Sequence, residues 1–181
     1  INRQGELQLR AEGTPHGQWE QPLLKIGLQL EVPDDFATAT WYGKGPGEAY
    51  VDTCQAQRVD VYECAVDDLW FPYVVPQENG NRSDVRWVAL RRQDGAGLVA
   101  TGRPTLNFSA SYYEQNNITD AKIPLDLVRQ PSITLNLDHR QRGIGSGSCG
   151  PGVLPQYELP AESFAFELSL SPLQAGQPLQ G

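Results

Sequence analysis

The residues that supply most metal and nucleophile chemistry are scarce in this chain. It has two histidines, His16 and His139, and three cysteines, Cys54, Cys64 and Cys149, with no C-x-x-C spacing. Two histidines exclude a histidine-rich metal site. An odd number of cysteines without that spacing argues against both a disulfide framework and a zinc site. Cys54 and Cys64 could pair in an oxidising compartment, but we expect two reduced thiols.

Long hydrophobic runs and an excess of positive charge are also missing. The longest apolar runs, such as residues 98–100, fall far short of the ~20 residues that span a bilayer. With 14 basic and 22 acidic side chains, the net charge is −8, which repels phosphate backbones and anionic lipids. We therefore predict neither a nucleic-acid nor a membrane partner. The start resembles no signal peptide and lacks Met, so we expect either an excised piece of a longer chain or a trimmed tag.

Glycine and proline are abundant, and the dominant hydrophobic period is two. Residues 25–32 alternate strictly, with apolar side chains on one face, as in a half-buried strand. Asp-Gly at 94–95 and Asn-Gly at 79–80 are hairpin and turn signals. The pattern predicts an all-β, antiparallel sandwich of nine or ten strands, with at most a short helical turn in 119–128. We predict one domain over 1–170 and a flexible tail over 171–181. The predicted strands are 6–11, 25–32, 38–42, 58–62, 85–90, 97–101, 106–109, 133–137 and 163–170.

Two loop segments combine aromatics, glycines, prolines and one carboxylate each: WYGKGPGEAY at 41–50 and PYVVPQENGN at 72–81. Glu48 and Glu78 in these segments could be the paired carboxylates of a glycosidase. They could equally cap turns by accepting backbone hydrogen bonds. The aromatics could form a sugar-stacking platform, or could be core and interface anchors. Residue types alone leave these alternatives open.

Other catalytic arrangements fit the sequence poorly. Asp138 and His139 are adjacent, and adjacent residues of a strand point to opposite faces, so Asp138 cannot easily orient His139 toward a serine. The segment GIGSGSCGPG at 143–152 looks superficially like a phosphate-binding loop but lacks the lysine and the strand-to-helix context. A loop whose backbone approaches something closely is the better interpretation.

Three motifs in order resemble one family. W-x-G-x-G-P-x-E-x-Y-x-D at 41–52, P-Y-x-x-P-x-E-N-G-x-R at 72–82 and the glycine loop at 143–151, preceded by LNLD at 135–138, resemble the C-terminal small-chain domain of lac-type bacterial β-galactosidases of glycoside hydrolase family two. The resemblance covers about residues 5–170. It implies a galactose-mutarotase-like supersandwich, here starting inside the module, and a cytoplasmic protein.

The resemblance also implies that this chain is one part of a larger enzyme and that another part carries out catalysis. The catalytic glutamates of such enzymes lie in a central barrel, so neither Glu48 nor Glu78 should be catalytic, and we expect no catalytic residue in this chain. We expect the chain to pack against that barrel and to hold no cofactor or metal of its own; the Mg and Na ions of such enzymes would lie mainly in other domains. Truncated strand edges would favour self-association.

The glycine loop is the part that the resemblance brings to the galactoside substrate, through Ser148, Cys149 and Gly150. Many relatives place a Trp where this chain has Cys149, in a loop one residue longer. The change implies a different preference for the aglycone. A free-standing carbohydrate-binding module and a purely structural buttress are the alternative functions.

Overall fold

The computed structural model describes residues 1–146 and 150–179 as an all-β arrangement. Its strands, helix and short 3₁₀ turns follow the sequence periodicity closely. The strands are β1 (Leu7–Gly13), β2 (Lys25–Pro33), β3 (Thr38–Gly45), β4 (Arg58–Ala65), β5 (Arg82–Arg91), β6 (Gly97–Ser111), β7 (Ser132–Gln141) and β8 (Phe164–Leu173). One helix, α1, spans Gln115–Asp120, and 3₁₀ turns lie at Cys54–Ala56, Val66–Leu69, Pro124–Asp126 and Pro155–Tyr157.

The eight strands form one antiparallel sheet that forks at β6. Along one branch the order is β1-β8-β6-β5-β3-β4, and β7 joins β6 to β2 along the other. The first half of β6, Gly97–Arg103, pairs with β8, and the second half, Asn107–Ser111, pairs with β7. A side-chain contact joins the branches, since the His139 ring of β7 stacks on Phe166 of β8 at 5.2 Å. The predicted antiparallel sandwich is confirmed.

The core lies between the two branches and is filled by the alternating apolar side chains. Trp41 of β3 is 1% exposed and its ring meets Phe108 of β6 edge-on at 5.7 Å. Leu135 and Leu137 of β7 are 1% and 0% exposed on the opposite branch. Each such side chain contributes about 1.5–3 kcal/mol through its removal from water. The fold therefore rests on β3, β5, β6 and β7, the strands that flank the loops discussed below.

The observed elements differ from the predicted ones at three places. The strands expected at 97–101 and 106–109 form the single bent strand β6, so eight strands are described in place of nine or ten. The helical turn begins at Gln115, before the expected 119, and a separate 3₁₀ turn starts at Pro124. Strand β8 continues to Leu173, which pairs with Gly97, so the expected tail boundary at 170/171 lies inside a strand.

Candidate functional site

The segment after β3 turns sharply and is held by its own side chains. The Trp41 indole N–H donates to the Lys44 carbonyl at 3.0 Å, which fixes the end of the strand. Gly45 leaves no room for a side chain, because a Cβ there would lie 2.7 Å from the Tyr62 ring. A cis peptide bond joins Gly45 to Pro46. The chain reverses here in a rigid turn built on aromatic faces.

Arg82 joins this turn to the second aromatic loop. Its guanidinium is 3% exposed and donates twice to the Pro46 carbonyl, at 3.2 and 2.9 Å. It also donates to the carbonyls of Gly80 at 2.7 Å and Leu69 at 3.2 Å, and lies 5.4 Å from the Trp41 ring. Burial lowers the pKa of Arg82. The motif arginine is therefore a buried cross-link between backbone segments.

Glu48 joins the same two loops through its carboxylate. The Tyr73 hydroxyl donates to one oxygen, and the Gly80 N–H donates to the other at 3.0 Å. Burial and the hydrogen bond to Glu48 raise the pKa of Tyr73. Two neighbouring hydrogen bonds link Ala49 and Asn81 in both directions, at 2.7 and 2.6 Å. Both oxygens of Glu48 are thus occupied in holding the loops together, which is the turn-bracing alternative of the sequence analysis.

The glycine loop is anchored to the first motif by Asp52. The Asp52 carboxylate accepts the backbone N–H groups of Ile144 at 3.3 Å and Gly145 at 2.8 Å. A Cβ on Gly143 would lie 2.6 Å from the same carboxyl group, so glycine alone permits the approach. Hydrogen bonds that a charged carboxylate accepts from backbone are among the stronger ones. The last residue of the first motif therefore positions a loop 92 residues later.

The base of the glycine loop is closed by a narrow set of hydrogen bonds. Ser146 donates to the Pro151 carbonyl from its N–H at 3.1 Å and from its hydroxyl at 3.2 Å. The Gly150 N–H donates to the Ser146 carbonyl at 2.6 Å. Of the predicted substrate-binding residues, Gly150 is exposed at this closure. Ser148 and Cys149 lie outside the described residues.

A groove of about 440 Å³ runs along the glycine loop and contains charged side chains. Lys25 lies 3.5 Å from the Glu78 carboxylate, and both line the groove together with Ile144. Asp138 is 3% exposed and lies close enough to both groups for their charges to shift its pKa. Burial raises the pKa of Asp138 to about 7, Lys25 lowers it and Glu78 raises it further. Glu78 is thus paired with a lysine beside a second, buried carboxylate.

The remaining sequence candidates are dispersed. His139 stacks on Phe166 while its neighbour Asp138 is buried next to Lys25, so the two do not face a common serine. Among the aromatics, Trp41 is buried, whereas Phe71 is 48% exposed and its ring packs at a tilt against Tyr73, with the ring centroids 4.7 Å apart. Over residues 1–146 and 150–179, no group of three His, Cys, Asp or Glu side chains is placed to hold a metal ion.

Sequence reasoning missed two functional elements of this region. It placed Asp52 in a motif but gave it no role, although three nearby glycines at 143, 145 and 150 signal a close backbone approach. It treated Asp138 only as a partner for His139 and overlooked Lys25. The sequence clue is Gly27, a glycine inside an alternating strand. In the sheet Gly27 pairs with Asp138, and a Cβ at Gly27 would lie 2.2 Å from the Asp138 carboxyl oxygen.

No helix in the described part of the chain is long and apolar enough to cross a membrane.

Comparison with known proteins identifies the family. The family model described as "Beta galactosidase small chain" matches residues 1–170. The chain is 33% identical over 156 residues to a beta-galactosidase of Kluyveromyces lactis and 35% identical over 172 residues to one of an Arthrobacter species. It is 37% identical over 150 residues to a beta-galactosidase of Vibrio cholerae.

These alignments span most of the chain and a small part of each relative. They cover 86%, 91% and 82% of this chain, but only 15%, 17% and 14% of the three relatives. The match is thus to one small domain of a much larger enzyme. The chain belongs to the beta galactosidase small chain family.

Proposed function

We propose that this chain is the part of a β-galactosidase that packs against the catalytic barrel and supplies a loop at the active-site mouth. The whole enzyme hydrolyses terminal non-reducing β-D-galactose residues, such as that of lactose, by a retaining mechanism with two carboxylates of the barrel. The small chain contributes Ser148, Cys149 and Gly150 to substrate binding and no catalytic acid. The observation that carries the proposal is the Asp52 anchor beneath the glycine loop.

The anchor suits such a role because binding loops work best on a rigid base. Asp52 fixes the entry to the loop and Ser146 closes its base. A loop that is already ordered loses less conformational entropy when the substrate binds. Loops that carry function on a rigid scaffold are the usual arrangement in enzymes. Cys54 and Cys64 are free thiols, in keeping with a reducing cytoplasm.

The two motif glutamates, Glu48 and Glu78, are both bound to other groups of this chain, which supports the proposal that the chain has no catalytic acid. Glu48 accepts hydrogen bonds at both oxygens, and Glu78 is paired with Lys25. A retaining pair of carboxyl groups must face each other across the scissile bond with room for the sugar. Glu48 is instead occupied by Tyr73 and Gly80. Metal ions of the parent enzyme are proposed to lie mainly in its other domains.

The loop proposal is tested in the full-length enzyme with Asp52→Ala. Loss of both loop anchors should raise KM for galactosides about tenfold or more, because each charged hydrogen bond contributes about 1.5–3 kcal/mol. Cys149→Trp, in the same enzyme, should change the relative kcat/KM for lactose and an aryl galactoside. Asp120→Asn, at an exposed site on α1, is the matched control. Wild-type kinetics in both the Asp52 and Cys149 variants would refute the loop's role and favour a purely structural buttress.

The isolated 181-residue chain is predicted to be inactive and to self-associate. A purified sample should not turn over a chromogenic β-galactoside, because it lacks the barrel acids. Light scattering should give a mass above that of the monomer. Over residues 1–146 and 150–179, β2 pairs only with β7 and β4 only with β3, which leaves strand edges open. Turnover abolished by Glu48→Gln would refute the first expectation, and a monomeric mass at all concentrations the second. Tight lactose binding by the isolated chain would favour the carbohydrate-binding module.

A further inference from the structure

A concave pocket of about 290 Å³ lies where β5 begins, β6 resumes after its bend and β7 ends. Asn81 and Ser83 form one wall, Leu106 lies at the β6 side and Gln141 forms the β7 side. The 3₁₀ turn Pro155–Tyr157 adds the Tyr157 ring at the rim. The volume is at the small end of the range for ligand sites, about 300 Å³.

Three residues of this pocket carry buried oxygens that have no hydrogen-bond partner among the residues that the structure describes. These are Asn81 Oδ1, Ser83 Oγ and Gln141 Oε1, and Asn81 is only 2% exposed. Buried polar groups in folded proteins are almost always hydrogen-bonded. All three residues line the pocket, so rotation of the Ser83 and Gln141 side chains would present their oxygens to an occupant. Their gathering around one cavity points to a ligand that supplies hydrogen-bond donors.

The charges around the pocket favour a neutral ligand. Lys44 Nζ is 2.8 Å from the Asp84 carboxylate, and Glu158 at the rim is paired with Arg142. A free cation would meet Lys44 and the nearby Arg140, and a free anion would meet Asp84 and Glu158. Since Lys44, Asp84 and Glu158 are already paired within the protein, an ion of either sign gains little from entering.

The other lining residues favour a ligand with both hydroxyl and C–H faces. Leu106 and Leu159 are 4% and 2% exposed and form an apolar floor. Tyr157 adds an aromatic face at the rim. Amide oxygens accept hydrogen bonds, and the Ser83 hydroxyl both donates and accepts. A sugar ring presents hydroxyls at its edge and C–H groups on its faces, which matches this arrangement.

We propose that this pocket binds one unit of a neutral saccharide. The ring lies on Leu106 and Leu159, and its hydroxyls donate to Asn81 and Gln141 and exchange a hydrogen bond with Ser83. This binding goes beyond the role proposed for the glycine loop and does not depend on turnover.

Cys54 provides a local reporter, because it lines the same pocket and has a free thiol. In the full-length protein, the alkylation rate of the Cys54 peptide is measured by mass spectrometry against increasing galactose or glucose. Saturable slowing of at least fivefold is expected. Gln141→Leu and Ser83→Ala should each weaken the sugar's apparent affinity about fivefold to tenfold, because a hydrogen bond contributes about 1–1.4 kcal/mol. Gln93→Leu, in an exposed turn, should leave it unchanged.

Three outcomes would overturn the proposal. The first is that neither sugar slows alkylation. The second is that sodium chloride at the same concentration slows it equally, which would indicate an ionic effect and not sugar binding. The third is that protection in both Gln141→Leu and Ser83→Ala equals that of the wild-type protein, which would place the sugar elsewhere. Thermal unfolding identifies a variant that fails to fold, and the second variant then decides. Because Cys54 protection is read without turnover, a failure here is distinct from a failure of the loop proposal.

Discussion

Arg82→Ala is expected to lower the free energy of unfolding by about 3–5 kcal/mol, the combined cost of buried acceptors left unsatisfied and of a cavity. The guanidinium makes four donations to the carbonyls of Pro46, Gly80 and Leu69. Alanine leaves those acceptors without a partner and opens a cavity beside Trp41, 5.4 Å away. Both losses act at the point where the two aromatic loops meet. Urea unfolding followed by tryptophan fluorescence measures the change.

Two further variants separate charge from geometry at this position. Arg82→Lys keeps the positive charge but cannot reach three carbonyls from one planar group, so most of the loss should persist. Arg86→Ala is the matched control, because Arg86 lies on the same strand, β5, and also covers a ring, Tyr42 at 5.3 Å, but on a more exposed face. It should change the stability by less than about 1 kcal/mol. A similar small change in Arg82→Ala would mean that the arginine does not support the loops.

The sequence predicts the strands well, because alternation reports directly which face of a strand is buried. Residues 25–32 and 163–170 are found almost as predicted, in β2 and β8. The fork at β6 was not predictable, because Gly102 and Pro104 are typical of a turn between two strands. In the fold, each half of β6 has its own partner, and β5 bridges the bend with shifts in register.

The candidate site was predictable in its parts and not in its connections. The resemblance predicts that Glu48 is not a catalytic acid, and the fold shows its two oxygens accepting hydrogen bonds from Tyr73 and Gly80. The link from Asp52 to Gly145 joins positions 93 residues apart. No local pattern reports such a contact, because it joins the segments that follow β3 and β7, two strands that are not neighbours in the sheet.

These contacts form a continuous path from the motifs to the loop. Arg82 and Glu48 join the second aromatic loop to the first, and Asp52 joins the first to the base of the glycine loop. The motifs therefore act as a scaffold, and a disturbance at Arg82 should reach the loop through Pro46 and Asp52. This arrangement explains why so many glycines and aromatics lie in these two segments.

Asp138→Asn is expected to stabilise the protein at alkaline pH and to leave it unchanged in acid. Burial raises the pKa of Asp138 to about 7, above the ordinary value of 3.8 that it regains on unfolding. A raised carboxyl pKa means that the folded state binds the proton more tightly than the unfolded state. Below pH ~4 the Asp138 carboxyl group is protonated in both the folded and the unfolded state, so it does not lower the free energy of unfolding. As pH rises from about 4 to about 7, folding stability is lost.

The difference between the wild-type protein and Asp138→Asn isolates this contribution from the other carboxylates. It should grow from near zero at pH 4 to about 4 kcal/mol in favour of the variant at pH 8, since each pKa unit is worth about 1.4 kcal/mol. Lys25 and Glu78 are the charged groups that act on Asp138, with opposite effects, and both remain in the variant. Asp120→Asn, at an exposed carboxyl on α1, should show no such trend. Urea unfolding at each pH measures the difference; a variant less stable than wild type at pH 8 would show that the Asp138 carboxylate is held charged by Lys25, so that burial would not control its ionisation.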